Sequence, residues 1–142
     1  MGVADDKEEI RDLYYRYAFN WDDNRPDDVA ACFAPDAVWF GDQIGRDAVA
    51  ENVRTLNRRV AGFQTFHIVT NIRIEVDGDA ATGRAYFSYT LARPGEVEKQ
   101  YGTYNDTFRR IDGRWYFASR TPKIAGGTGP LLPSPRTSGV TS

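Results

Sequence analysis

From residue 65 onward the chain changes its hydrophobic period. Four segments, Thr65 to Val76, Ala80 to Leu91, Lys99 to Ile111 and Trp115 to Thr121, are dense in β-branched and aromatic residues, the side chains that suit a pleated, half-buried surface. Asp77-Gly78-Asp79 and Asp112-Gly113 stand between them, where tight hairpin loops need residues tolerant of positive φ. The connection Ala92 to Glu98 holds Pro94-Gly95 and reads as longer. Consecutive strands joined in this way predict an antiparallel meander, and a meander with an apolar face needs a second layer to cover it.

The first half supplies that layer. Ile10, Leu13, Tyr14, Tyr17, Ala18 and Trp21 recur at helical spacing, which predicts a helix over Lys7 to Trp21, with Asp5 or Asp6 capping its first turn. Pro26 followed by Asp27 and Asp28 suits the start of a short second helix that ends near Ala34-Pro35. Ala37 to Phe40 reads as a brief strand, and Asp47 as the cap of a third helix through Val49, Val53, Leu56 and Val60. The prediction is an α+β domain of three helices on a mainly antiparallel sheet. Residues 1–6 read as a flexible N-terminus, 7–121 as the domain, and 122–142 as an irregular tail rich in Gly, Pro and Ser that could fold over a pocket mouth.

Composition narrows the function classes. With 142 residues, 41% hydrophobic and 13% aromatic, the chain can bury one core. Its 18 basic and 20 acidic residues are dispersed, with no basic block to hold phosphates, so nucleic acid is not an expected partner. No apolar run approaches the roughly 20 residues that cross a bilayer. The acidic, polar start does not read as a signal peptide, and the single cysteine, Cys32, has no internal partner. The expected setting is the cytoplasm.

Chemistry is concentrated in few side chains. His67, the sole histidine, is the only side chain whose unperturbed pKa lies near neutrality, and it falls on a predicted strand; it is either a base or a hydrogen-bonded core residue. Strict alternation puts Phe66, Ile68, Ile72 and Ile74 on one face and His67, Val69 and Asn71 on the other, so both faces need cover: a pocket on one side and a neighbouring subunit on the other. Asp22 ends the first helix, where the dipole disfavours a carboxylate. It is either part of a solvated turn or the group that fixes the tautomer of His67. Tyr17, five residues earlier, reaches the same pocket only if the helix ends irregularly; otherwise it is core. One histidine and one cysteine do not make a zinc site, no carboxylate spacing suits calcium, and no glycine-rich loop cradles a nucleotide. No metal and no cofactor are expected.

Ile10-Arg11-Asp12-Leu13-Tyr14, Phe33-Ala34-Pro35-Asp36-Ala37-Val38-Trp39 and His67-Ile68-Val69-Thr70-Asn71, in this order of elements, resemble the SnoaL-like branch of the nuclear transport factor 2-like superfamily over roughly Lys7 to Thr121. The chain is most similar there to the group of scytalone dehydratase, bile-acid dehydratase and hexachlorocyclohexane dehydrochlorinase. The resemblance implies a cone-shaped, cystatin-like α+β barrel around a pocket for a small hydrophobic ligand, homo-oligomers (trimer or dimer), and cofactor-free elimination by an Asp-His pair. Asp22 and His67 fall on that pair, and Arg120 on an arginine that assists the departing anion, although a salt-bridge role is the alternative. Tyr17 stands where the dehydrochlorinase has a lysine, which points away from halide loss and toward loss of water. Trp21, Trp39, Val69, Asn71, Phe87, Tyr89 and Tyr104 are the candidate pocket walls. By strand parity Arg120 shares a face with Ala118 and Tyr116. The expected activity is a dehydratase-type lyase; an isomerase or cyclase of polyketide or steroid type, or a non-catalytic binding domain, are the alternatives.

Overall fold

A computed structural model describes residues 2–128. Helix α1 (Val3–Asp22) is followed by α2 (Pro26–Ala30), β1 (Phe33–Trp39), β2 (Gln43–Ile44) and α3 (Arg46–Arg59), then by four long strands. These are β3 (Gln64–Asp77), β4 (Ala80–Arg93), β5 (Glu96–Ile111) and β6 (Arg114–Gly127). One curved, unclosed sheet runs β2-β1-β6-β5-β4-β3, antiparallel except where β1 lies parallel to β6. Ile10, Leu13, Tyr14, Tyr17, Ala18 and Trp21 of α1 are buried on its inner face together with Phe33, Tyr104, Phe108 and Phe117. The architecture is α+β, with the helices on one side of the meander.

Several boundaries move. Helix α1 starts at Val3 with Gly2 as its N-cap, so residues 3–6 are not a flexible leader. Asp6 is buried and caps nothing: its carboxylate accepts hydrogen bonds from the Trp115 indole at 3.1 Å and from Arg110 at 3.0 Å. Strand β1 begins at Phe33 and runs through Pro35, and its register with β6 is irregular between Phe33 and Val38, where proline withholds a ladder donor. Gly45, not Asp47, caps α3.

The middle hairpin is as tight as the other two. Arg93 pairs with Glu96, leaving only Pro94 and Gly95 in the loop; proline presets φ at the first position, and Gly95 takes φ 80° at the second. Asp112 and Gly113 both have positive φ, the requirement of a type I′ loop. The C-terminal boundary also moves. Pro122, Lys123, Ile124, Gly126 and Gly127 pair with β5 from Tyr104 back to Gln100, because β5 is long enough to need a partner there. The rest of the expected tail, 129–142, lies outside the described residues.

Two bulges overturn strict alternation. In β3, three steps from Thr70 to Arg73 span two steps of β4, and Asn71 takes φ 56°. The extra residue reverses the parity beyond it. Ile72, Ile74 and Val76 therefore join His67 and Val69 against the core, whereas Phe66 and Ile68 point outward, 45% and 53% exposed. In β6 the register skips Ala118, so Arg120 shares the buried face with Phe117 and Trp115, not with Ala118 and Tyr116.

Candidate active site

Asp22 is the last residue of α1, and its chain end is held by side chains from elsewhere. The Trp21 carbonyl accepts from the Asn24 N–H at 3.0 Å and from Asn57 Nδ2 at 3.4 Å; the Asp22 carbonyl accepts from Gln64 Nε2 at 3.5 Å. These donors satisfy carbonyls that a helix end leaves free. The carboxylate is offset from the unfavourable dipole by three donors of β3. Oδ1 accepts from the Thr65 hydroxyl at 2.9 Å and from His67 Nδ1 at 2.7 Å, and Oδ2 accepts from the His67 backbone N–H at 2.8 Å. Strand β3 is the sheet edge, so Asp22 also occupies backbone that an edge would leave unpaired.

An aspartate that receives the backbone N–H on one oxygen and Nδ1 on the other assigns the proton of the imidazole to Nδ1. His67 Nε2 makes no hydrogen bond among the described residues. The side chain is 5% exposed, and its ring sits among aromatics: Trp21 at 4.9 Å, Tyr89 at 4.8 Å and the edge of Tyr17 at 6.0 Å between centroids. No irregular helix end is required for this. Helix α1 is continuous to Asp22; the carboxylate meets His67 from the helix terminus while the Tyr17 ring approaches it edge-on.

Tyr17 joins His67 to a second buried group. The Arg120 guanidinium carbon lies 4.4 Å from the Tyr17 centroid and 3.5 Å from that of Tyr104. Arg120 Nε and Nη2 donate to the two oxygens of Asp106 at 2.8 and 3.0 Å, and both side chains are wholly buried. Burial opposes the charge on Arg120, but the facing Asp106 outweighs it and holds the guanidinium pKa above its ordinary value. Nη1 has no partner. Burial pushes the Tyr17 hydroxyl up, with Arg120 pulling the other way, and pushes Tyr104 up as well. Both phenols are thus neutral donors at ordinary pH.

The remaining walls divide. Trp39 packs edge-on against Trp21 at 5.7 Å, and among the described residues neither indole N–H has a hydrogen-bond partner. Phe87 stacks on Tyr104 at 4.2 Å, and Val69 packs partly buried against the core. Asn71 is not brought in: it is exposed within the bulge. Asp106 and Thr65 are the residues that sequence reasoning missed. Asp106 lies between Tyr104 and Phe108 at alternate, inward positions, a signal that a buried charge needs a partner. Among the described residues, no three His, Cys, Asp or Glu side chains converge as metal ligands, and no helix is long and apolar enough to cross a membrane.

A SnoaL-like domain profile matches residues 3–121. Rv3472 of Mycobacterium tuberculosis, of unknown function, is similar at 30% identity with a TM-score of 0.76, over 84% of this chain and 76% of that one. A candidate scytalone dehydratase from Novosphingobium aromaticivorans is similar at 25% identity with a TM-score of 0.77, over 91% and 90% of the two chains. LinA shares the fold at 22% identity with a TM-score of 0.78, over 90% of each chain. Structures described as cystatin-like share it too. No curated protein matches.

Proposed function

The chain belongs to the SnoaL-like domain family, and from that premise we propose that it is a cofactor-independent, dehydratase-type lyase acting on a small hydrophobic cyclic or polyketide-like carbonyl compound. The observation that carries the reading is the Asp22 Oδ1 to His67 Nδ1 hydrogen bond of 2.7 Å. It leaves Nε2 as the basic nitrogen of a ring enclosed by aromatic walls. Nε2 removes a proton next to the substrate carbonyl; the Tyr17 hydroxyl, with Arg120 behind it, donates to the carbonyl oxygen as negative charge develops. A hydroxyl on the neighbouring carbon then departs. A neutral phenol at position 17 suits a carbonyl better than a departing halide. The relative named for scytalone dehydration agrees with this chemistry.

Purified wild type and His67→Gln are to be compared on a panel of aromatic and alicyclic β-hydroxy carbonyls, followed by the new conjugated absorbance. The expected result is turnover by wild type and a loss of about 10²–10⁴-fold in the variant. Turnover that survives the substitution would overturn the mechanism. The outward Phe66, Ile68, Tyr86, Val97 and Tyr101 further support a homo-oligomer, dimer or trimer, that buries this face.

A further inference from the structure

We propose that Tyr89 is the acid of this site, its hydroxyl protonating the leaving oxygen while His67 accepts the carbon-bound proton. The role rests on the lyase reading above. In a dehydration the C–H bond breaks and its electron pair becomes the C=C bond. The C–O bond also breaks, and its pair leaves on oxygen, which needs a proton to depart as water. Nε2 of His67 receives the first of these protons, and when both bonds break together a second group supplies the proton to the oxygen.

Buried donors without a partner identify it. Among the described residues these are the Tyr14 and Tyr89 hydroxyls, the Trp21 and Trp39 indoles and Arg120 Nη1. Indole and guanidinium groups donate hydrogen bonds but do not give up a proton. The Tyr14 hydroxyl lies toward Gly83 and Phe108, where a Cβ on Gly83 would collide with it, and no contact of its ring with His67 is made. Tyr17 is stacked with Arg120 and belongs to the carbonyl end. Tyr89 remains. It stands directly opposite His67 in the β3–β4 register, which brings the two Cβ atoms within about 5.5 Å on one face. Its ring centroid lies 4.8 Å from the imidazole, and the side chain is buried.

Burial first, and the nearby Asp22 charge second, raise the Tyr89 pKa, so the hydroxyl carries its proton when substrate arrives. Hydroxide departing into the same site is the stronger base, since water is a weaker acid than a phenol. The phenolate formed at Tyr89 is then reprotonated by the imidazolium of His67. Both residues return to their starting forms, and the only products are the unsaturated carbonyl compound and water.

The test compares wild type with Tyr89→Phe, which keeps the ring against His67, on two substrates of one skeleton: a β-hydroxy ketone and its β-acetoxy counterpart, whose acetate leaves without a proton. The expected result is a loss in kcat of about 10²-fold or more on the hydroxy substrate, with KM little changed, and a loss at least tenfold smaller on the acetoxy substrate. Equal losses on both would make Tyr89 a packing residue and overturn the role while leaving the lyase reading intact. If wild type eliminates from neither substrate, the lyase reading fails and this role with it. Should the variant not fold, a β-aryloxy series on wild type decides: a shallow dependence of rate on leaving-group pKa is expected, and a steep one excludes an acid.

Discussion

At the scale of single residues, the interior is a set of neutral phenols packed around one compensated charge pair. Tyr14, Tyr17, Tyr89 and Tyr104 all have hydroxyl pKa values pushed up chiefly by burial. The folded state therefore holds these protons more tightly than the unfolded chain, whose phenols titrate near about 10. Their contribution to stability is fully present below that value and is lost as pH rises above it toward the folded values. Phenolate absorbance from these four buried tyrosines should accordingly appear only together with alkaline unfolding seen by circular dichroism. A single smooth titration with the fold intact would contradict the packing around Arg120 and His67.

At the scale of elements, the two bulges do what the sequence period could not announce. Helix and strand periods, and the Asp-Gly turns, were legible because each is a local pattern of residue types. A bulge adds one residue without changing composition, so alternation read through Asn71 or Ala118 assigns half of β3 and β6 to the wrong face. The continuation of β6 was also hidden: Pro122, Gly126 and Gly127 read as loop until the length of β5 is known. The candidate pair was only half legible, since the helix end marked Asp22 as anomalous but no local pattern brought it to His67, 45 residues away in sequence. Asn71 carries the β3 bulge at φ 56°, a conformation open to Asn and Gly and costly for β-branched residues. Asn71→Gly should stay within about 0.5 kcal/mol of wild type, and Asn71→Val should cost about 1–3 kcal/mol, measured by urea denaturation. Equal stability of the two variants would mean that the bulge relaxes freely.

At the scale of the whole molecule, the sheet has unlike faces. Its inner face carries the aromatic core under α1, whereas its outer face presents Phe66 and Ile68 of β3, Tyr86 of β4, and Val97 and Tyr101 of β5. Cross-strand registers place Ile68 opposite Ser88, and Ser88 opposite Tyr101, so these side chains belong to one surface. The proposed homo-oligomer would bury the apolar side chains of this face. Ile68→Asp should shift sedimentation from the proposed oligomer to monomer while the helical circular dichroism is retained. A wild-type protein that sediments as a monomer at high concentration would refute the interface.

The carboxylate of Asp22 has two clients in one residue: the ring of His67 and the peptide N–H of the strand edge. Only the first bears on the proposed chemistry. A variant without the proposed catalysis would still use this aspartate, because it occupies the His67 N–H on the open side of an edge strand. Asp22 is therefore a poor marker of activity among sequences of this kind, and an imidazole at position 67 is the informative one. On the proposed reading, sequences that keep the aspartate and replace the histidine are where non-catalytic binding proteins should be sought.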